Sequence, residues 1–327
     1  MPHRTIGPML DVASSTMLPS RRTPRRHALP PGWWGPRGGG SRGHSIVELL
    51  AQRVLDAELA ALVWLLLEAR VPLVVAGEAS RVGKTTLLTA LLEFLPPEAR
   101  AIPLAGAMED FGWLPEAPEL GWRLVPAEAA GHADRLTVAT PASDVLLVAE
   151  LSDHLPTYTW GPHARIAVRA LSLGYGLAAT IHADRLEDVF DRLRAAPVHL
   201  SDDELSRLGV VLVMRRVEAP REREPMRRVV AAHYIRPVAR DEHGHVQRLP
   251  PAVLAAYEPR RDELEHFAWG VMPELAARLG RRSGELELEQ RRRAEYLAGL
   301  VASGVHDPAA VALAIAGYRG IRGDILS

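Results

Sequence analysis

One lysine occurs in this chain of 327 residues, at Lys84, between Gly83 and Thr85; the other 38 of its 39 Lys and Arg residues are arginine. It lies in LVVAGEASRVGKTTLLTALLEFL, residues 73–95. The apolar run Leu73–Ala76 after Pro72 reads as a short strand. Gly77–Gly83 reads as a loop, and the residues from Thr85 to Leu95 as a helix stopped by Pro96 and Pro97. A strand, a turn of exposed N–H groups and a helix N-terminus are the parts of an anion-binding loop. The spacing predicts that Lys84 bridges the β- and γ-phosphates of a nucleotide and that the Thr85 hydroxyl ligates Mg²⁺. Arginine's planar fork does not fold back into that gap, so the replacement made everywhere else fails at this position.

ATP and Mg²⁺ are the expected ligands, held by Glu78, Ala79, Ser80, Arg81, Val82, Gly83, Lys84, Thr85 and Thr86. The loop departs from G-x-x-x-x-G-K-[ST]: Glu78 stands at the first glycine position and Gly77 falls one residue early. Either the loop is one residue longer, or Glu78 takes the glycine's place. The single lysine also excludes rivals. A GTPase reading guanine through N-K-x-D needs a second lysine, and a protein kinase needs its lysine on a strand remote from any GKT.

Composition narrows the rest. Hydrophobic residues make up 47% of the chain, enough for a sizeable core, and the net charge of −1 argues against a polyanion binder. There is no cysteine, so disulfides and thiolate metal sites are excluded. The longest apolar run, Leu59–Leu67, falls well short of the roughly 20 residues a membrane-spanning helix needs. Arg21 and Arg22 are followed by no apolar segment, so no secretory signal is read, and a cytoplasmic protein is expected. Residues 1–44, with seven Arg against one Asp, seven Pro and seven Gly, are expected to form a disordered tail.

From Ser45 to Glu68, apolar residues at three- and four-residue spacing predict one leading helix. Strands are expected at 101–105 (an edge, because of Pro103), 145–149, 177–181, 210–215, 229–237 and 245–249, with a helix at 164–173. The last two strands are expected to pair as a hairpin through ARDEHG, and the chain after Pro250 to be helical. The fold class is therefore α/β, with a mainly parallel sheet over residues 45–250 and a C-terminal helical region over 251–327. Ligands in such sheets sit at the carboxyl ends of the strands. There the sequence delivers Glu109 and Asp110 (AMED), Glu150 (DVLLVAE) and His182 (AATIHAD). Asp153, His154 and His163 lack metal-ligand spacing and are read as loop residues.

Taken together, these segments resemble the type II/type IV secretion ATPase superfamily, especially assembly ATPases of Tad-like and archaeal-type pili. VVAGEASRVGKTT looks like its Walker A region, AMED its Asp box, SDVLLVAELSD its Walker B and GYGLAATIHADRLEDVFDRL its His box. RRRAEYLAGLVASGVHDPAAVALAIAGYR is similar to its closing helices, and the likeness covers residues 46–327. The resemblance implies a RecA-like P-loop NTPase core and Mg-ATP hydrolysis. It also implies a hexameric ring working with an inner-membrane platform protein in secretion or pilus assembly. Such a protein is cytoplasmic, or peripheral at the inner face of the membrane, with no specific nucleic-acid partner. By position, Glu150 polarises the attacking water and reaches Mg²⁺ through water, while Glu109 and His182 help place the water or the γ-phosphate. The chain departs from the family in Glu78 and Arg81 within the loop, Ala149 for the Walker-B glycine and Ser152 for a common arginine. Pro141 falls where an arginine-rich helix is usual, and fewer than 70 residues precede the core, so the N-terminal domain is expected to be largely missing. The alternative expectation is a nucleotide-dependent regulator or scaffold that binds without efficient hydrolysis.

Overall fold

A computed structural model describes residues 43–77, 81–123, 140–218, 224–240, 242–243 and 245–326, the last six of these by backbone alone. The chain runs through α1 (Ile46–Ala51), α2 (Ala57–Glu68), β1 (Leu73–Ala76), α3 (Lys84–Leu91), β2 (Arg100–Pro103) and β3 (Asp144–Leu151). There follow α4 (Pro162–Arg169), β4 (Gly176–Ile181), α5 (Leu186–Arg194), α6 (Asp202–Leu205), β5 (Val210–Val217) and β6 (Met226–Tyr234). A short ribbon of β7 (Ala239–Arg240) and β8 (Val246–Gln247) precedes β9 (Ala252–Glu258), β10 (Glu263–His266), α7 (Met272–Arg278), α8 (Ser283–Ala302) and α9 (Pro308–Leu326). The tail expected over residues 1–44 lies, but for its last two residues, outside the described ones.

Eight strands form one sheet in the order β10-β9-β6-β5-β1-β4-β3-β2. The five from β5 to β2 are parallel, and β6, β9 and β10 continue the sheet antiparallel. In the parallel half, β4 lies between the loop-bearing β1 and β3, which is the expected RecA-like arrangement. Parallel strands require both faces covered, and their continuous apolar runs follow from that. Leu73 and Val75 of β1 pack into a core with α2, α3 and the C-terminal helices; Val74 and Ala76 face a second core with α4 and α5. β2, carrying Pro103, is the edge that a ring lacking an N–H demands.

Three expectations are corrected. The single leading helix is two, because Arg53 turns to φ +58 and the Val54 carbonyl accepts a hydrogen bond from the Val229 amide at 2.7 Å. Asp56 then restarts the helix, its carboxylate accepting from the Leu59 amide at 2.9 Å. The 229–237 segment ends as a strand at Tyr234 and does not pair with 245–249; the ARDEHG turn joins only the two-residue strands β7 and β8. The region after Pro250 is not wholly helical, because β9 and β10 extend the main sheet before α7 begins. β10 alternates exposed and half-buried residues with period two, which its acids Glu263 and Glu265 obscure, whereas β9, AVLAAYE, shows no clean alternation.

Candidate functional site

Gly83 sits at the N-cap of α3 with φ +103, a left-handed conformation that costs glycine little. It supplies no capping side chain, so the first-turn amides of Lys84, Thr85 and Thr86 project from the helix's positive end. Gly77 is needed for a different reason. A Cβ there would fall 2.7 Å from Val82 Cγ1 and 3.0 Å from the Met214 carbonyl oxygen, so the loop closes only over a bare Cα. Its carbonyl accepts a hydrogen bond from Lys84 Nζ at 2.8 Å. Glu78, Ala79 and Ser80 lie outside the described residues; Arg81 is exposed at φ +63, and Val82 is buried.

The ammonium of Lys84 lies in a small ionic cluster. It is 3.2 Å from Glu150 Oε1 and 3.4 Å from His182 Nδ1, and His182 Nε2 is 3.0 Å from the same Glu150 oxygen. Lys84 is 7% exposed and Glu150 6%. Burying either charge alone would be costly, so the two are buried as a pair. Three separate parallel strands deliver the cluster: the loop after β1, Glu150 within β3 and His182 just after β4. An irregularity in β3–β4 pairing between Val148 and Leu151 re-aims Glu150, and the Thr180 hydroxyl holds it by donating to the Ala149 carbonyl at 2.7 Å. Ala149 therefore serves through its backbone.

Glu109 is not among these described contacts. Its carboxylate accepts from the Ala105 amide at 2.8 Å, the Phe111 amide at 3.0 Å and Trp113 Nε1 at 2.9 Å. Its described bonds build its own turn, with Oε1 accepting two donors and Oε2 one. Asp110 likewise accepts from the Gly112 amide at 2.9 Å. His154, read from sequence as an ordinary loop residue, is brought beside the cluster, its ring 5.2 Å from that of His182 in an edge-on arrangement. His154 remains a loop residue, whereas His163 lies on α4 and packs against Trp122 and Phe111.

Sequence reasoning missed the β5–β6 hairpin. Ala76 at the end of β1 pairs with Val213, so Met214–Val217 overrun β1 while still pairing with β6. Met214 Cε and Arg227 Cδ lie 3.4 and 3.3 Å from where a Gly83 Cβ would stand. No local signal marks these residues; only the crossover order brings them to the loop.

These residues suit a phosphate-bound Mg²⁺. Two glycines let backbone approach backbone, a helix start faces the site, and Thr85, half-buried in the first turn, is the one hydroxyl adjoining Lys84. Among the described residues no group of three or more His, Asp or Glu could hold a metal ion. No described helix is long and apolar enough to cross a membrane.

Fold and topology define the class: an α/β protein with a RecA-like, mostly parallel core followed by C-terminal helices. No family model matches the chain. Uncharacterized protein MJ1287 of Methanocaldococcus jannaschii is 29% identical over 175 residues, covering 52% of this chain and 61% of its own length. Uncharacterized protein MJ0900 of the same organism is 26% identical over 224 residues, covering 67% of this chain but 37% of its own. Among solved structures, the VirB11 ATPase of the Brucella suis type IV secretion system shares 21% identity over 53% of this chain and 50% of its own, with TM-score 0.34. The Yersinia pseudotuberculosis ATPase DotB shares 14% over 81% and 62%, with TM-score 0.32. At such scores the two likenesses carry no argument about what this chain does; that argument rests on the loop and its cluster.

Proposed function

We propose that the chain binds Mg-ATP at the Gly77–Thr86 loop and hydrolyses it. The observation that supports this most is the convergence of Lys84, Glu150 and His182 from three strands onto one helix start. Lys84 holds the terminal phosphates as a point charge, and the α3 amides donate to their oxygens. Thr85 would hold Mg²⁺, with Glu150 reaching it through water; the metal would neutralise charge on the β- and γ-phosphates. Glu150 is the carboxylate placed to orient the attacking water, and His182 fixes its direction by the 3.0 Å contact. The order of the four sequence segments supports a place among secretion and pilus-assembly motors. Such a motor would work as a hexameric ring beside an inner-membrane platform protein on the cytoplasmic side.

A phosphate-release assay with purified protein, read beside Mg-ATP titration by calorimetry, tests this. Turnover abolished by Glu150→Gln with binding retained is expected. Binding without turnover in the wild-type chain would leave a nucleotide-dependent regulator, and no binding at all would end the proposal. Ring formation on adding Mg-ATP, followed by light scattering, tests the motor assignment separately.

A further inference from the structure

We infer that Arg216 and Arg227 form a cationic clamp, supplied by the same chain, for the outer phosphates of the nucleotide. This rests on the nucleotide-binding reading of the Lys84 loop and adds two residues to it.

The two arginines stand directly opposite each other in the β5–β6 ladder, so their side chains leave the same face. They occupy the part of the hairpin that overruns β1, on the carboxyl side of the parallel strands. Both are exposed, and neither forms an ion pair or side-chain hydrogen bond among the described residues. The neighbouring arginines differ. Arg215 donates to the Asp184 carbonyl at 2.9 Å, and Arg228 is buried in a bidentate pair with Asp262 at 2.9 and 3.2 Å. Like charges directly opposed on two strands are unfavourable. A pair kept without a described acid beside it suits an anion that arrives from outside.

Its position says which anion. The Arg227 stem crosses the left-handed Gly83, the residue immediately before the helix start that faces the phosphates. The side chain continues two bonds beyond that Cδ to its guanidinium carbon, long enough to be turned toward the start of α3. Charge balance calls for such a donor. Within the buried cluster the single ammonium of Lys84 is matched by the single carboxylate of Glu150, which leaves little net positive charge there. A triphosphate brings more negative charge than one divalent ion offsets. Arginine's fork binds two phosphate oxygens at once, and as an exposed side chain on a hairpin it can adjust without disturbing the core.

The test is calorimetric titration of Mg-ATP and Mg-ADP into wild type, Arg227→Ala, Arg216→Ala, the double variant and Arg227→Lys, with thermal melts on each. Expected is a loss of ATP affinity of about 10- to 100-fold in Arg227→Ala, with a smaller loss for ADP. A smaller effect is expected in Arg216→Ala and partial recovery in Arg227→Lys. Melting temperatures should hold or rise, because one of two opposed charges is gone. If the double variant binds ATP as wild type does, the clamp is wrong while the loop's role stands. If ATP and ADP affinities fall equally together with the melting temperature, the hairpin is merely structural and the clamp is again wrong. If the wild-type chain binds neither nucleotide, the clamp falls together with the reading it rests on.

Discussion

Lys84 Nζ and Glu150 Oε1, brought from different strands across the sheet, lie 3.2 Å apart with both side chains nearly closed to solvent. A buried pair of this kind is costly to break from one side and cheaper to remove whole. Lys84→Met alone should destabilise the fold by about 3 kcal/mol, and the double variant Lys84→Met, Glu150→Gln by distinctly less. Urea melts of the four corners of that cycle measure the coupling. Strict additivity would show that the two groups do not sense each other. Lys84→Ala should also weaken Mg-ATP binding by at least about 100-fold, through its lost charge-assisted bonds.

Gly77→Ala should lower stability by about 1–3 kcal/mol, because the added methyl meets Val82 and the Met214 carbonyl together. It should also move Lys84 off the Gly77 carbonyl and reduce ATP affinity. Gly270→Ala, where an added Cβ meets nothing within 4 Å, is the comparison; equal melting temperatures for the two would remove the packing argument.

Glu68 joins α2 to the last two helices, α8 and α9. It pairs with Arg293 and Arg319, each at 2.7 Å, and accepts from Trp64 Nε1 at 2.8 Å. Burial pushes its pKa up, but the two arginines outweigh burial and hold the carboxyl below its ordinary value. A depressed acid stabilises the fold above its unfolded value near 4.5, and that contribution is lost as pH falls through the folded value. Glu68→Gln leaves Arg293, 4% exposed, with only Glu289 as a carboxylate partner among the described residues. A loss of about 3 kcal/mol at pH 7, shrinking toward pH 4, is expected from chemical denaturation at the two pH values. A pH-independent loss would show that the charge is not what matters.

His266 clamps the start of α2, its Nε2 lying 2.7 Å from Asp56 Oδ2 and its Nδ1 3.8 Å from Glu58. Burial lowers its pKa, but the two acids outweigh burial and raise it above the ordinary 6.5. The stabilisation is then fully present below 6.5 and lost as pH rises through the folded value. Replacing His266 with Gln should therefore lower the melting temperature more at pH 6 than at pH 9. His233, within reach of Glu187, is held low chiefly by burial and works in the opposite sense, so the wild-type-minus-variant difference is the quantity to follow. A difference that does not change with pH would remove the clamp.

The sheet's parallel half was legible because its strands are short apolar runs that can only be buried on both faces. Glu150 and His182 stood out for a related reason: each is a polar residue at or near the carboxyl end of such a run, although Glu150 stays buried within β3. Glu109 was equally legible as an acid after a strand. Sequence could not show that three nearby donors, Ala105, Phe111 and Trp113, take up its oxygens. β10 was hidden because its exposed acids, Glu263 and Glu265, read as a charged helix, and β9 because its small apolar residues do not alternate.

By itself, the sequence determined the loop: a lysine kept in a chain that otherwise uses arginine, between a glycine and a threonine, at the start of a helix. That information is local, since backbone freedom and helix polarity act over a few residues. The tertiary structure alone decided what surrounds the loop. Parallel strands are joined by crossovers and pair out of chain order, so residues more than a hundred positions from Lys84 come to lie over it. Arg227 and Met214 stand beside Gly83 for that reason, and no spacing along the chain announces it.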